Sequence, residues 1–337
     1  MSETAMDSIL ISTITVARNL SGYRFATTMS QNERKSVQQK IVQIAEQNLL
    51  QFIPIHQINA AEQNKLVSQG IISKSFTIDP DNFFLFNPST MAYYIVCDEN
   101  HLSYKLQYEG FSVTALYEQA QLDVNTIGKS VNFAWSPEFG FITTAIRELG
   151  TGMVFSFLIH VPALSLYGVL DSVFRQILET GCEITSKSLS SFGPNGAFFT
   201  ITMPVLPLGY ETVYLNKITM ALHSLNEYEK TIQTQLLQTN KVQVYDKIGR
   251  SFGLLQYAYE ISYDEYVSIM SDIRFGIQTG IIDCTNTKLL SSYILCDPVL
   301  LIKNDEEKYN SEAQTRAMQM KKIANYITFT NREIAIV

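Results

Sequence analysis

The residues best placed to do chemistry in this chain of 337 residues are Cys97-Asp98-Glu99-Asn100-His101. An apolar run, residues 93–96, precedes them, so two carboxylates and an imidazole emerge where a buried strand ends. A carboxylate fixed at such a point can hold a cation or take a proton as a general base. A solvated turn is the plainer reading of the same five residues. His160 lies inside the apolar stretch 153–170, where a histidine more often hydrogen-bonds within a core than binds a ligand.

Other short motifs carry little. Gly128-Lys129-Ser130 resembles the end of a phosphate-binding loop, but Asp123 occupies the position that needs a glycine and would repel phosphate. Gly150-Thr151-Gly152 lacks the third glycine of a dinucleotide fingerprint, because Phe155 stands there. No His-Glu-x-x-His occurs. Cys97, Cys182, Cys284 and Cys296 stand far apart with four histidines, which argues against a zinc site or a disulfide framework. Reduced thiols, no bound metal and a cytoplasmic location are the expectation.

The elements that must position these residues follow from composition and periodicity. Apolar residues make up 46% and charged residues 17%, which excludes a disordered chain or a fibrous rod. A net charge of −7 argues against non-specific nucleic-acid binding, which needs cations to neutralise phosphates. Residues 1–7 carry two acids and no basic segment, so they do not read as a signal peptide. The stretch 153–170 is about as long as a membrane span, but His160 and Pro162 interrupt it and no Lys/Arg cluster flanks it. It reads as a buried strand followed by a helix, and no membrane association is expected.

Helical spacing marks residues 33–49, 111–124 and 164–179, whereas 75–78, 83–86, 91–97, 131–159 and 196–203 read as strands. That irregular alternation predicts an α+β domain with an antiparallel sheet flanked by helices. Beyond about residue 220 the texture turns helical (218–239, 246–259, 263–279, 311–327), with a capping-box spacing at Ser262 and Glu265. The expected division is 1–230, with a charge of about −6, and a helical domain over 231–337. Phe252, Leu255, Tyr259, Tyr266 and Ile269 form apolar stripes there that serve either an internal core or a dimer.

Taken together, the fragments resemble the phosphagen (ATP:guanidino) kinase family, most closely its bacterial protein-arginine kinase branch. Residues 15–23 (Thr-Val-Ala-Arg-Asn-Leu-Ser-Gly-Tyr) are similar to that branch's Arg-Leu-Ala-Arg-Asn-Leu opening. Residues 97–102 stand where the family has Asn-Glu-Glu-Asp-His-Leu. Residues 139–144, 149–153 and 158–164 follow its central strand block, and 246–282 resemble the helical C-terminal domain of the bacterial branch. The resemblance implies a bent antiparallel sheet with flanking helices, a helical dimerisation domain, and γ-phosphoryl transfer from Mg-ATP to a guanidinium. It also implies a homodimer, a zinc-containing activator protein, a Clp unfoldase in stress-linked protein quality control, and phosphoarginine binding by the C-terminal domain. For that last role the residues are Asp246, Arg250, Ser251, Ser271, Asp272 and Arg274, since a guanidinium fork suits phosphate and an acid suits the guanidinium part.

The departures from the family decide the reading. Its polyphosphate-binding arginines correspond here to Thr13, Thr15, Ser103 and Val154, with a fifth aligned to Thr185 in a stretch that has lost the pattern. Ala145 replaces the cysteine of the central block. A hydrogen bond to a charged group contributes roughly 1.5–3 kcal/mol, so losing five costs on the order of 7 kcal/mol or more, about five decades of affinity. Arg147 and Lys187 are the nearest cations to substitute. The expectation is a pseudokinase that needs no cofactor and acts as a binding or regulatory scaffold. The alternative is an active protein-arginine kinase with a rearranged site that uses Mg-ATP. In that case Glu99 is the base, Asp98 a second guanidinium ligand, and His160 and His101 nucleotide neighbours by resemblance.

Overall fold

The structure, a computed structural model, describes residues 6–186, 196–301 and 311–330; Lys187, singled out above, lies outside them. In chain order the elements of the first region are β1 (Ile9–Arg18), α1 (Gln31–Gln47), β2 (Gln51–Pro54), α2 (Ala60–Ser68), β3 (Phe83–Asn87), β4 (Ala92–Val96), β5 (Leu102–Glu109) and α3 (Val113–Gly128). There follow β6 (Trp135–Ser136), β7 (Gly140–Phe141), β8 (Met153–His160), α4 (Pro162–Tyr167), α5 (Leu170–Leu178), β9 (Glu183–Ser186) and β10 (Phe198–Thr202). Helix α6 (Glu211–Thr239) leads to α7 (Lys241–Tyr257), α8 (Tyr263–Gln278), β11 (Ile282–Cys284), α9 (Thr287–Leu295), α10 (Glu312–Ala324) and β12 (Ile327–Phe329).

Eight strands form one sheet in the order β2-β3-β4-β5-β1-β8-β10-β9, and every neighbouring pair is antiparallel. The alternation Thr13-Ile14-Thr15-Val16-Ala17 in β1 shows why the two faces differ, since successive side chains leave a strand on opposite sides. Ile14, Val16, Tyr104, Leu106, Phe155, Phe157 and Ile201 are buried on one face beneath α1, α3 and α6. Each large side chain removed from water there stabilises the fold by roughly 1.5–3 kcal/mol. The opposite face is open over its centre. At the β2–β4 end α2 and the chain after it cover it, packing Leu66, Ile71, Ile72 and Phe76 against Phe84 and Ile95.

The fold is therefore the α+β arrangement expected from the sequence, with an antiparallel sheet, flanking helices and a helical C-terminal region. Ser262 and Glu265 form the expected capping box on α8, and Ser30 with Glu33 forms a second one on α1. Two local expectations change. Residues 75–78 are not a strand but a 3-10 turn over Ser75–Thr77. The helix expected over 164–179 is two, α4 and α5, because Gly168 takes the left-handed conformation (φ 79°) and ends the first.

Helix α6 runs unbroken through residue 230. Leu215, Ile218, Leu222 and Leu225 belong to the core under the sheet, while Leu236 joins a second core built from α7, α8, α9 and α10. Leu255, Tyr266 and Ile269 of the apolar stripes lie inside that second core, Phe252 is half-buried against Phe329, and Tyr259 is exposed.

Candidate functional site

A cavity of about 540 Å³ lies over the open face of the sheet. Its acidic wall is the loop 97–101 between β4 and β5. Cys97 turns with a positive φ of 56°, and its N–H donates to the His101 carbonyl at 3.0 Å, which closes the loop. Asn19 then fixes it. Its side-chain carbonyl accepts from the His101 N–H at 2.8 Å, and its amide donates to Asn100 Oδ1 at 3.1 Å. Thr144 holds the far side by donating to the Glu99 carbonyl (2.8 Å) and, through its N–H, to Asn100 Oδ1 (2.9 Å). Asp98 and Glu99 consequently line the cavity.

His101 does not. Its imidazole is buried, Nδ1 accepts from the Leu20 N–H at 2.9 Å, and Nε2 must donate to the Arg24 carbonyl at 2.7 Å. Burial lowers its pKa, in keeping with a neutral ring. His160 is also absent from the cavity wall. It is fully buried at the end of β8, stacked on Phe198 at 4.4 Å and bonded to Ser271 and Arg274 of α8. Both histidines thus hold elements together in this structure and do not reach the cavity.

The floor is made of short side chains. Sheet register sets Thr15 opposite Lys105 on one side and Val154 on the other, while Ser103 faces Ala17 on β1 and Ile95 on β4. Thr15, Ser103 and Val154 line the cavity directly, as do Ser156, Thr200 and Thr202. Thr13 lies one step along β1, where Gln107 Nε2 donates to its hydroxyl at 3.1 Å, and Thr185 pairs with Thr200.

Charge on the wall runs to the acidic side. Asp98, Glu99, Glu148 and Glu183 face two lining cations, Lys105 and Arg147. Lys105 is committed, since its ammonium donates to the Gly70 carbonyl at 2.6 Å just beyond α2. Burial lowers its pKa, and Asp98, Glu148 and Glu99 oppose that. Burial raises the pKa of Glu148, and the neighbouring Glu99 raises it further, as expected of two carboxyls sharing a site. Ser73 donates to Asp98 at 3.1 Å and Gln107 to the Gln69 carbonyl at 2.9 Å, so the chain after α2 is strapped across one side of the cavity. The polyphosphate of Mg-ATP does not fit the donor set of the described residues, which offers one uncommitted lining cation, Arg147, among four carboxylates.

The glycines that survive beside the cavity serve the scaffold. Arg18 is buried against Phe141, 3.6 Å from the ring centroid, and donates to the Ala17 and Thr151 carbonyls at 2.8 and 2.7 Å. Among the described residues no carboxylate pairs with it, and burial lowers its pKa to about 9. A side chain at Gly152 (φ 63°) would meet the Ala17 carbonyl at 2.7 Å and the Arg18 guanidinium at 2.8 Å. Gly150-Thr151-Gly152 is thus the seat of Arg18, not a phosphate loop.

In the helical region the six proposed phosphoarginine ligands divide into three pairs. Asp246 and Arg250 pair with each other at 2.7 Å on the exposed face of α7. The Ser251 hydroxyl donates to buried Asp272 at 2.7 Å, and Lys247, absent from the expected set, joins at 3.1 Å. Ser271 and Arg274 point instead to the junction with the sheet, where His160 lies between them. Glu148, Glu183 and Lys105 were likewise not singled out in the sequence. Lys105 was findable from the alternation Ser103-Lys105-Gln107 in β5, but Glu183 faces the cavity only because β9 pairs with β10 at the sheet edge.

Comparison with known proteins gives the same frame. Residues 32–241, more than half of the chain, match the family model described as "ATP:guanido phosphotransferase, C-terminal catalytic domain", and residues 241–329 match "Protein-arginine kinase McsB C-terminal domain". A protein-arginine kinase of Caldanaerobacter subterraneus subsp. tengcongensis is 25% identical over 295 residues, covering 84% of this chain and 86% of the relative. Among solved structures, lombricine kinase superposes with a TM-score of 0.59 at 14% identity, covering 69% of each chain. The substrate-free duplicated taurocyamine kinase of Schistosoma mansoni superposes with a TM-score of 0.56 at 21% identity, covering 68% of this chain and 34% of that one. At those identities the structures attest to the fold alone. With both family models matched in tandem and the loop, strand order and helical region in their places, the chain belongs to the ATP:guanido phosphotransferase (phosphagen kinase) family, in its bacterial protein-arginine kinase branch.

Proposed function

We propose that this chain is a pseudokinase of its family, kept as a binding or regulatory scaffold in Clp-linked protein quality control. One observation carries the reading: Thr15, Ser103 and Val154 lie side by side on neighbouring strands, where the family resemblance expects phosphate-binding arginines. The lining acids add repulsion for a polyphosphate. The scaffold acts as a cytoplasmic homodimer, with a zinc-containing activator protein and a Clp unfoldase as its partners. Phosphoarginine would bind beside Lys247, Ser251 and Asp272. Calorimetry of the full chain tests both parts. Millimolar Mg-ATP should give no saturable heat and phosphoarginine should give some; micromolar nucleotide binding would overturn the pseudokinase reading.

The alternative, an active protein-arginine kinase, is favoured by the survival of Asp98 and Glu99 on the cavity wall. It requires labelled γ-phosphate to appear on arginine peptides and Glu99→Gln to abolish the transfer. If no label appears at enzyme concentrations comparable to the peptide, that alternative falls.

A further inference from the structure

A second polar cavity, of about 380 Å³, lies where the start of β1, α6 and α8 meet. Arg274 of α8 dominates it. The guanidinium can only donate, so its 2.9 Å contact with His160 Nδ1 makes that nitrogen an acceptor. The His160 proton therefore sits on Nε2 and is donated to the Ser271 hydroxyl at 2.9 Å. His160 is neutral in this arrangement and leaves the charge of Arg274 uncompensated. The second contact, from Nη2 to the Asp7 carbonyl at 3.0 Å, compensates it no better.

The two acids of the cavity are turned to other tasks. Both oxygens of Glu229 accept backbone N–H groups, from Ala163 at 2.7 Å and Leu164 at 2.9 Å. The Asp7 carboxylate faces Lys230 at 3.6 Å. Among the described residues no carboxylate lies within ion-pairing distance of Arg274; Asp7 and Glu229 act on it only from further away. Burial also raises Glu229 to a pKa of about 7, which reduces its negative charge at neutral pH. What the cavity offers is donors: the remaining N–H groups of Arg274, the amide of Gln233, the amide of Gln278, held only by a long 3.5 Å contact to the Asp7 carbonyl, and the ammonium of Lys230, which Asp7 and Glu227 approach no closer than 3.6 and 4.0 Å.

We propose that this junction cavity binds a small oxyanion, phosphate or carboxylate, held by Arg274 and Lys230 with Gln233 and Gln278 as neutral donors. Bound there, the anion would bridge α6 and α8 beside the first residues of β1 and tighten the contact between the sheet and the helical region. The site is separate from the cleft over the sheet, so its test is independent of whether nucleotide binds.

The experiment is a ³¹P NMR titration of inorganic phosphate into the full chain at constant ionic strength. Saturable binding is expected, weakened about tenfold or more by Lys230→Gln, which removes one charged donor from a largely exposed position. Gln233→Glu, which places a carboxylate in the cavity, should abolish it, and this second variant keeps the test valid should Arg274→Gln fail to fold. Displacement by acetate would identify a carboxylate site, and resistance to acetate a phosphate site; either supports the proposal. Non-saturating titration of the parent chain, or saturation unchanged in both variants, would overturn it.

Discussion

The two faces of the eight-stranded sheet have opposite characters. On the covered face, Ile14, Val16, Phe155 and Phe157 are fully buried and interlock with three helices. On the open face, the residues between them in the same strands are Thr13, Thr15, Val154 and Ser156, and they meet a cavity or one another. Because side chains alternate along a strand, one face can change while the other keeps the pairing register. The lesson is that fold and phosphate chemistry occupy alternate residues of the same strands, so chemistry can be lost while the scaffold stays.

The sharpest way to break that contrast is to put the cations back. Thr15→Arg, Ser103→Arg and Val154→Arg together should raise affinity for Mg-ADP by about three decades, taking roughly 1.5 kcal/mol per charged hydrogen bond, with calorimetry as the measurement. Unchanged affinity in a folded triple variant would mean that the floor residues are not what excludes nucleotide.

The next largest effect is on stability. Phe155→Ala, on the covered face, should cost about 3–5 kcal/mol by leaving a cavity in the core. Thr15→Ala, its near neighbour across the sheet, should cost within about 0.5 kcal/mol. Equal shifts in urea midpoint for the two would show that the open face also carries the fold.

A third test concerns pH. Glu229 has its pKa raised from 4.5 to about 7 by burial, against the pull of the Leu164 and Ala163 N–H groups and Arg274. The folded chain therefore binds a proton more tightly than the unfolded chain does. That stabilisation is complete below pH 4.5 and is lost as pH rises through about 7, a change of at most about 3 kcal/mol. Denaturation midpoints between pH 5 and 8 should fall for the parent chain and flatten for Glu229→Gln. A smaller effect than that of Glu229 should come from Lys105→Met, which frees the Gly70 carbonyl and should cost about 1 kcal/mol in the same denaturation assay.

Much of this molecule was legible in its sequence. Strand alternation and helical spacing gave the α+β class, and the order of short motifs gave the family. Asp98 and Glu99 are legible at a strand end, and Thr15, Ser103 and Val154, picked out along the chain, come together on neighbouring strands. What escaped depended on long-range geometry. Nothing local in His160 says that Ser271 and Arg274, more than 100 residues later, will meet its ring. Nor does the local sequence separate Ser271 from Asp272, adjacent on α8, which point to opposite partners. The 3-10 turn at Ser75–Thr77 defeated a β-rich composition because Ser73 caps it, accepting from the Phe76 N–H at 3.1 Å.

Helix α6 has one more implication. At about 1.5 Å per residue, its 29 residues make a strut about 43 Å long. Its first half is clamped beneath the strands and its last turns are gripped by the C-terminal bundle. A rigid beam fixed at both ends cannot tilt at one without prying at the other. Cutting the chain at residue 230 would sever it in mid-span, so neither half should be expected to survive alone.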